Sequence, residues 1–425
     1  MLNRVVWLVA SSLIIFCGIY FTFKLKFVQF RFIKMIKSLT IKTKNKETIK
    51  PFSSLMMVLA GRIGVGSIAG IAVSIYYGGI GSIFWMWISS IFGASLTFLE
   101  TTLGMYYQQK DEKHICKGGP SYYIKYGLNN KFLGNLYAII ILVSDIVGFI
   151  SIQTNTITHS IQEIVNIDGY LIGIIICILV IIIIFGGVKR IANFSSKMVP
   201  TMTLLYLLVC FIIIIINIDK IPFVFKEIFK SAFEFKSISG GILGSLVIGI
   251  QRGIFSSEAG IGTGAIASSA TEALTEEEKL AQGYTQMLGV YITTFLICTS
   301  TALIVLTSNT SNLNFNNFNG IELIQIAFTN HLGSIGNYFV FLIIFLFAFT
   351  TILSSYYNGE SSLKYFIEKP KKSLKLLKLF TLLSIFIGAT SSSNIIWNFI
   401  DIFVGILAII NIYAIIKLKD KVIKH

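Results

Sequence analysis

Charge is scarce in this sequence. Of its 425 residues 13% are Asp, Glu, Lys or Arg, 54% are hydrophobic, and long apolar runs recur from residue 5 to residue 416. No soluble core absorbs that much apolar length, so the chain is an all-α polytopic membrane protein. The five cysteines, Cys17, Cys116, Cys177, Cys210 and Cys298, form no CxxC and mostly lie in apolar segments, where they read as small inert hydrophobes. Four dispersed histidines give no metal-ligand spacing. Neither a Gly-Lys-Ser/Thr phosphate-loop ending nor a GxSxG or HExxH pattern occurs, so ATP-driven transport, intramembrane hydrolysis and a bound cofactor all lack their residues. Acidic residues are few as well, 20 against 35 basic ones, for a net charge of +15. A nucleic-acid footprint would gather that charge on one polar face, whereas these lysines sit between apolar runs.

What is present is a series of spans. At roughly 20 apolar residues per crossing, the sequence predicts about eleven transmembrane helices, near 5–23, 53–77, 80–104, 134–158, 168–185, 192–217, 238–270, 284–306, 335–357, 374–392 and 395–416. The first run, "VVWLVASSLIIFCGIYFTF", is long, lacks a basic leader and is followed by basic sequence, so it reads as a retained span and not a signal peptide. The stretch 28–39, "VQFRFIKMIKSL", places basic residues among aromatics at helical spacing and predicts an interfacial amphipathic helix. Lysine placement sets the orientation. The loop after the first span carries nine Lys or Arg between Lys24 and Lys50, and the loops holding Lys110 to Lys131, Lys189 to Lys197 and Lys364 to Lys378 fall on the same side with the C-terminal tail. That side is expected to be cytoplasmic, with the N-terminus outside. Loops 218–236, with four lysines outside, and 273–280, acidic inside, depart from the pattern.

Two spans are unlike the rest. "LAGRIGVGSIAG" at 59–70 and "GIQRGIFSSEAGIGTGAIASSA" at 249–270 put glycines, an arginine and small polar residues at membrane depth. Glycines in a membrane helix also serve as packing contacts, and either stretch alone fits that reading. The pair does more. They lie five spans apart, an odd number, so the two helices cross in opposite directions, which is the pattern of an inverted repeat built from broken helices. The expected organisation is residues 1–50 as an extra helix plus the amphipathic segment, 51–217 as the first repeat and 218–425 as the second. An unwound break frees amides that attract a carboxylate and carbonyls that coordinate a cation.

The motifs "PFSSLMMVLAGRIGVGSIAGIA", "GSIFWMW", "GGPSYYI", "IQTNTI", "QRGIFSSEAGIGTG" and "LFAFTTILSSYYNGE" together resemble the alanine or glycine:cation symporters, the sodium:alanine symporter family, over nearly the whole chain. The resemblance implies a LeuT-type 5+5 inverted repeat with one extra N-terminal helix. It implies Na⁺, less often H⁺, as coupling ion and an amino acid as cargo, in a plasma membrane such as the bacterial inner membrane, with no obligate protein partner evident. The sequence departs from the family pattern at Val65 and Ser67, where a hydroxyl residue and Asn are usual, and at Ser257, where Asn is usual. A larger neutral amino acid such as glutamine, proton coupling in the same fold, and a passive channel stand as alternatives.

The resemblance assigns substrate contacts to Val65, Gly66 and Ser67 in the first break, to Gln153 and Asn155, and to Phe255, Ser256 and Ser257 at the second break. Polar residues at such depth also make helix-to-helix contacts and caps, and Asn155, two residues along a helix from Gln153, faces elsewhere. Cation binding is assigned to the carbonyls of Ala60 and Ile63 with the hydroxyls of Thr350, Thr351 and Ser354, although threonine in a membrane helix usually bonds to its own preceding turn. Arg62, Asp145, Arg252 and Glu258 are candidates for gating or coupling, because a charge at the helix centre costs roughly 2.5–3.5 kcal/mol on insertion scales and needs a partner or water. Asp401 is a further charge at that depth. Glu100 and Glu360 read as interfacial charges near helix ends.

Overall fold

Within a bilayer the backbone has no water to bond, so each segment must satisfy its own N–H and C=O groups, and helices result. The computed structural model describes residues 2–41, 49–110, 116–234, 241–308, 320–367, 371–391 and 393–423. In chain order it contains α1 Leu2–Lys24, α2 Phe32–Ser38, α3 Pro51–Arg62, α4 Val65–Gly78, α5 Ser82–Tyr106, α6 Pro120–Gly127, α7 Lys131–Val143 and α8 Ile150–Gln162. There follow α9 Gly169–Ile184, α10 Gly187–Ile216, α11 Ile221–Ala232, α12 Gly241–Ser257, α13 Thr263–Ser268, α14 Glu276–Tyr291 and α15 Thr299–Thr307. The chain ends with α16 Gly320–Leu332, α17 Ile335–Phe366, α18 Lys371–Thr390, α19 Ser393–Leu418 and α20 Asp420–Ile423. Between α5 and α6 a two-stranded hairpin pairs Gln109 with Lys117 and Lys110 with Cys116.

Among the described residues, nine helices are long and apolar enough to cross a bilayer, counting α3–α4, α7–α8 and α14–α15 as one each. The shorter apolar helix α9 and the interrupted pair α12–α13 occupy the other two of the eleven expected spans. The joints within α7–α8 and α14–α15 are π-helical turns, Ser144–Phe149 and Ile292–Cys298, a wide winding often found at functional sites. Local signals place the ends. Pro51 opens α3, Asn130 caps α7 by accepting from the Leu133 amide at 2.9 Å, and Thr275 with Glu278 forms a reciprocal capping box on α14.

Three stretches differ from the sequence expectation. The amphipathic segment 28–39 is a 3-10 turn, Val28–Phe30, followed by the short α2, because Lys26 and Phe27 take left-handed backbone at the bend after α1. The segments 218–236 and 307–333, read as loops, contain α11 and α16, amphipathic helices too short to cross. The asparagine-rich stretch at 309–319, and Lys42, Lys44 and Lys46, lie outside the described residues.

Packing follows small residues. The helices α5 and α12 approach so closely that a Cβ on Gly249 would stand 2.3 Å from the Ser82 carbonyl oxygen, and one on Gly253 2.6 Å from Ser89 Oγ. The extra helix α1 docks beside them, with Gly18 against Phe92 and the Trp7 indole donating to the Asp401 carbonyl at 2.9 Å. Outward, α9 and α10 leave Ile174, Ile178, Leu204, Leu208 and Phe211 exposed, as lipid-facing surfaces require. Because no side chain fits between α5 and α12, Gly249→Val should lower stability by about 1–3 kcal/mol, read as a fall in the thermal unfolding midpoint in detergent. Gly70→Ala, whose Cβ meets nothing nearer than 4.0 Å, should leave the midpoint unchanged or raise it.

Candidate functional site

The first break is two residues wide. Ile63 ends α3 with φ −88° and ψ 72°, Gly64 is extended, and α4 restarts at Val65. Helix ends carry unpaired carbonyls on one side and unpaired amides on the other, so this junction exposes both kinds of group within a few residues. Thr351 Oγ1 on α17 donates to the Ala60 carbonyl at 2.8 Å, and Ser354 Oγ donates to that of Met57 at 3.1 Å. The Val65 amide donates to Gln153 Oε1 on α8 at 3.0 Å. Gly64 has to be glycine, since a Cβ there would stand 2.5 Å from Thr351 Oγ1 and 3.1 Å from Gln153 Oε1. Ser67 bridges the gap, donating to the Arg62 carbonyl at 2.9 Å and meeting Ser256 Oγ on α12 at 3.0 Å.

The second break is longer. After α12 the chain turns through Glu258, Gly260 and Gly262, all with positive φ, before α13. Only Glu258 among these is not glycine, and its strained backbone is held by its carboxylate, which accepts from Thr263 Oγ1 at 2.8 Å. Its other carboxylate oxygen lies beside Gly61, as does Ser354 Oγ. Ser257 Oγ accepts weakly from the Ala259 amide, at 3.4 Å. Phe255 stacks on Phe149 with ring centroids 5.3 Å apart, lies 5.2 Å from Trp397, and presses on Gly66, where a Cβ would be 2.8 Å from its ring. The two breaks therefore meet, with Gly66 and Ser67 against Phe255 and Ser256.

The whole sequence, residues 1–425, matches the description "Sodium:alanine symporter family". The chain belongs to that family. It is 38% identical to a probable sodium/glutamine symporter of Bacillus subtilis over 409 residues, covering 95% of this chain and 84% of the relative. It is 34% identical to a sodium/proton-dependent alanine carrier protein of Bacillus sp. strain PS3, covering 90% of this chain and 88% of that one. Its fold is that of a Na⁺-coupled sialic acid symporter seen in a substrate-bound outward-open state, at a TM-score of 0.51 and 15% identity, covering 96% of this chain and 82% of the other. It is a multi-pass membrane protein and a transporter, not an enzyme.

Within this symporter fold the remaining candidates divide. Thr351 and Ser354 face the first break, whereas Thr350 donates to the Phe347 carbonyl at 3.0 Å and meets Met202 Sδ on α10 at 3.7 Å. Asn155 points at the end of α18, donating to the carbonyls of Gly388 at 3.0 Å and Ser391 at 2.6 Å. Arg252 pairs with Asp401 on α19 at 2.6 Å and lies over the rings of Trp397 and Phe255, at 5.0 and 5.7 Å. The buried Arg62 donates to the Gln286 carbonyl at 2.9 Å, its guanidinium filling space that only Gly264 and Gly289 leave open. Asp145, in the π turn, accepts from Asn358 at 3.2 Å.

Sequence reasoning missed the brace of the second break. Glu100 is not an interfacial charge but is fully buried, because α5 packs against α12, α13 and α14. Asn411 on α19 donates to Glu100 Oε2 at 2.8 Å and to the Gly260 carbonyl at 2.9 Å, and accepts from the Tyr123 hydroxyl. Tyr137 donates to the next carbonyl, Ile261, at 2.6 Å. Glu360 is also buried and pairs with Lys364. The signal for the brace was a polar residue in the apolar run "ILAIINIYAII", which says that a partner exists but not which. Asn411→Leu strands three polar groups, each costing about 1–3 kcal/mol when buried unsatisfied. The variant should unfold at a clearly lower temperature than wild type and lose most uptake, measured on purified protein and in vesicles.

Proposed function

We propose that this protein is a secondary active symporter that couples Na⁺ influx to the uptake of a small neutral amino acid, alanine or glycine in kind, by alternating access. The observation that carries the reading is the meeting of the two breaks. On one side of it the Ala60 carbonyl and the Thr351 hydroxyl already lie 2.8 Å apart, and on the other the Val65 amide points out of a restarting helix. A cation suits the first pair and a carboxylate the second. In this reading Ala60, Ile63, Thr351 and Ser354 hold Na⁺. Val65, Gly66, Ser67 and Gln153 take the carboxylate end of the substrate, Ser256 and Ser257 its amino group, and Phe255 covers it. Thr350 and Asn155 brace neighbouring helices, and the Arg252–Asp401 pair closes the site from the outer side. Residues 51–217 and 218–425 act as the two repeats in this reading, in a plasma membrane such as the bacterial inner membrane, and the lysine distribution supports an outside N-terminus and a cytoplasmic C-terminus.

A zwitterion carries no net charge, so the membrane voltage acts on the ion alone. One Na⁺ descending ~100 mV gains about 2.3 kcal/mol, and a tenfold concentration ratio adds roughly 1.4 kcal/mol. Together they sustain about a 500-fold substrate gradient. The names of two relatives, a sodium/glutamine symporter and a sodium/proton-dependent alanine carrier, keep glutamine and proton coupling as the readings to separate experimentally.

The test is uptake of labelled alanine, glycine and glutamine into proteoliposomes under imposed Na⁺ or pH gradients. Accumulation should require Na⁺, and Thr351→Val should raise the half-saturating Na⁺ concentration by about tenfold, the loss of one polar ligand. Thr350→Val should change it little. Accumulation that persists without Na⁺ and follows a pH gradient overturns the sodium reading. Val65→Thr, which adds the family's usual hydroxyl beside the carboxylate site, should shift preference among the three substrates with little change in Na⁺ dependence.

A further inference from the structure

At the end of α1 the chain makes a bend that is built and not slack. Lys26 and Phe27 both hold left-handed backbone, with φ 51° and 56°. Arg31 fixes the bend from inside, donating to the carbonyls of Leu25 and Lys26 at 3.2 Å each and to the Tyr284 hydroxyl on α14 at 3.1 Å. Beside it opens a cavity of about 270 Å³, bordered by Lys24, Lys26 and Arg31 on one side and by Phe98, Tyr284 and the end of α20 on the other. Among the described residues none that borders it is acidic. Lys34 adds a fourth cation, with its ammonium 5.8 Å from the Tyr284 ring.

The surroundings identify what such a cavity would hold. Phe23, Phe27 and Phe30 form a ladder of rings, with centroids 5.4 and 6.3 Å apart, and all three are exposed, at 64%, 48% and 50%. Ile33 and Ile36 on α2 continue the apolar surface, at 71% and 60% exposed. A soluble anion needs only the cations. An exposed aromatic track that leads from a bilayer-crossing helix to a cationic cavity suits a molecule with a charged head and an acyl tail.

We propose that this cavity is a binding site for the headgroup of an anionic phospholipid, with its phosphate between Lys24, Lys26 and Arg31 and its acyl chain along Phe23, Phe27 and Phe30. Lys24, whose ammonium lies 5.9 Å from the Tyr20 ring, and Lys26 are the cations that would meet the phosphate, while Arg31 shapes the site. The bound lipid would pin the extra helix α1 to α14 and α20. Nothing in this depends on which amino acid or ion the protein carries.

The experiment uses the full chain, delipidated in neutral detergent, with phosphatidylglycerol or phosphatidylcholine added back. Bound lipid is counted by native mass spectrometry and the thermal midpoint is followed in parallel. Wild type should retain phosphatidylglycerol over phosphatidylcholine and gain thermal stability from it. The double variant Lys24→Gln/Lys26→Gln should bind phosphatidylglycerol about tenfold or more weakly, since each lysine near an anionic surface contributes appreciably. A control that removes the same charge at another exposed turn, Lys189→Gln/Arg190→Gln, should bind as wild type does. Equal loss in the two double variants overturns the site in favour of diffuse surface charge. Equal stabilisation of wild type by inorganic phosphate overturns the lipid as its occupant.

Discussion

The fold depends on what happens to a peptide carbonyl left unpaired inside a membrane. Along the spans the helices answer for their own backbone, but at the second break the chain gives up helical bonding through Glu258, Gly260 and Gly262, as it does more briefly at Ile63 and Gly64. Two side chains take over. Asn411 bonds the Gly260 carbonyl and Tyr137 the Ile261 carbonyl, so the unwound segment is held by α19 and α7 instead of by its own helix. Glu100 and Tyr123 complete the hydrogen bonding of Asn411, which fixes its amide in one orientation. A break that is supported in this way keeps a defined shape without a ligand, and a ligand site is useful only if its shape is defined before binding.

The helix α19 does this work at two depths. Asp401 takes the guanidinium of Arg252 beside Phe255 and Trp397, and Asn411, about 15 Å further along the helix axis, takes the second break. One helix therefore touches α12 through a charge pair and the break that follows α12 through hydrogen bonds. The ion pair joins different helices and lies over the rings of Trp397 and Phe255, and every polar atom of the Asn411 amide is engaged.

Much of this was legible in the sequence and some was not. The breaks were legible because glycine at membrane depth is costly in a helix, and both glycine-bearing stretches are interrupted in the structure. The inward face of α17 was partly legible: Thr351 and Ser354 face Ala60 and Met57, while Thr350, adjacent in sequence, turns about 100° away to Met202, which the helical period requires but which no motif states. Glu100 was misread because a carboxylate near a helix end normally reaches water. The reason it does not is tertiary: its partner Asn411 is 311 positions away, and α5 is covered on that side by α12, α13 and α14. Local pattern reveals that a buried polar group needs a partner; only packing says which.

The charges near the breaks bear on why a cation would be carried. Arg62, Glu100 and Glu258 are all buried near the breaks, Arg62 bonded to the Gln286 carbonyl, Glu100 to Asn411 and Glu258 to Thr263. Glu258 is the carboxylate nearer the first break, beside Gly61 and Ser354, next to the carbonyl of Ala60. On the symport reading a sodium ion at Ala60 and Thr351 would have the Glu258 carboxyl oxygen near by, a favourable neighbour for a cation. From its left-handed backbone position Glu258 reaches both Thr263 across its own break and Gly61 across the other.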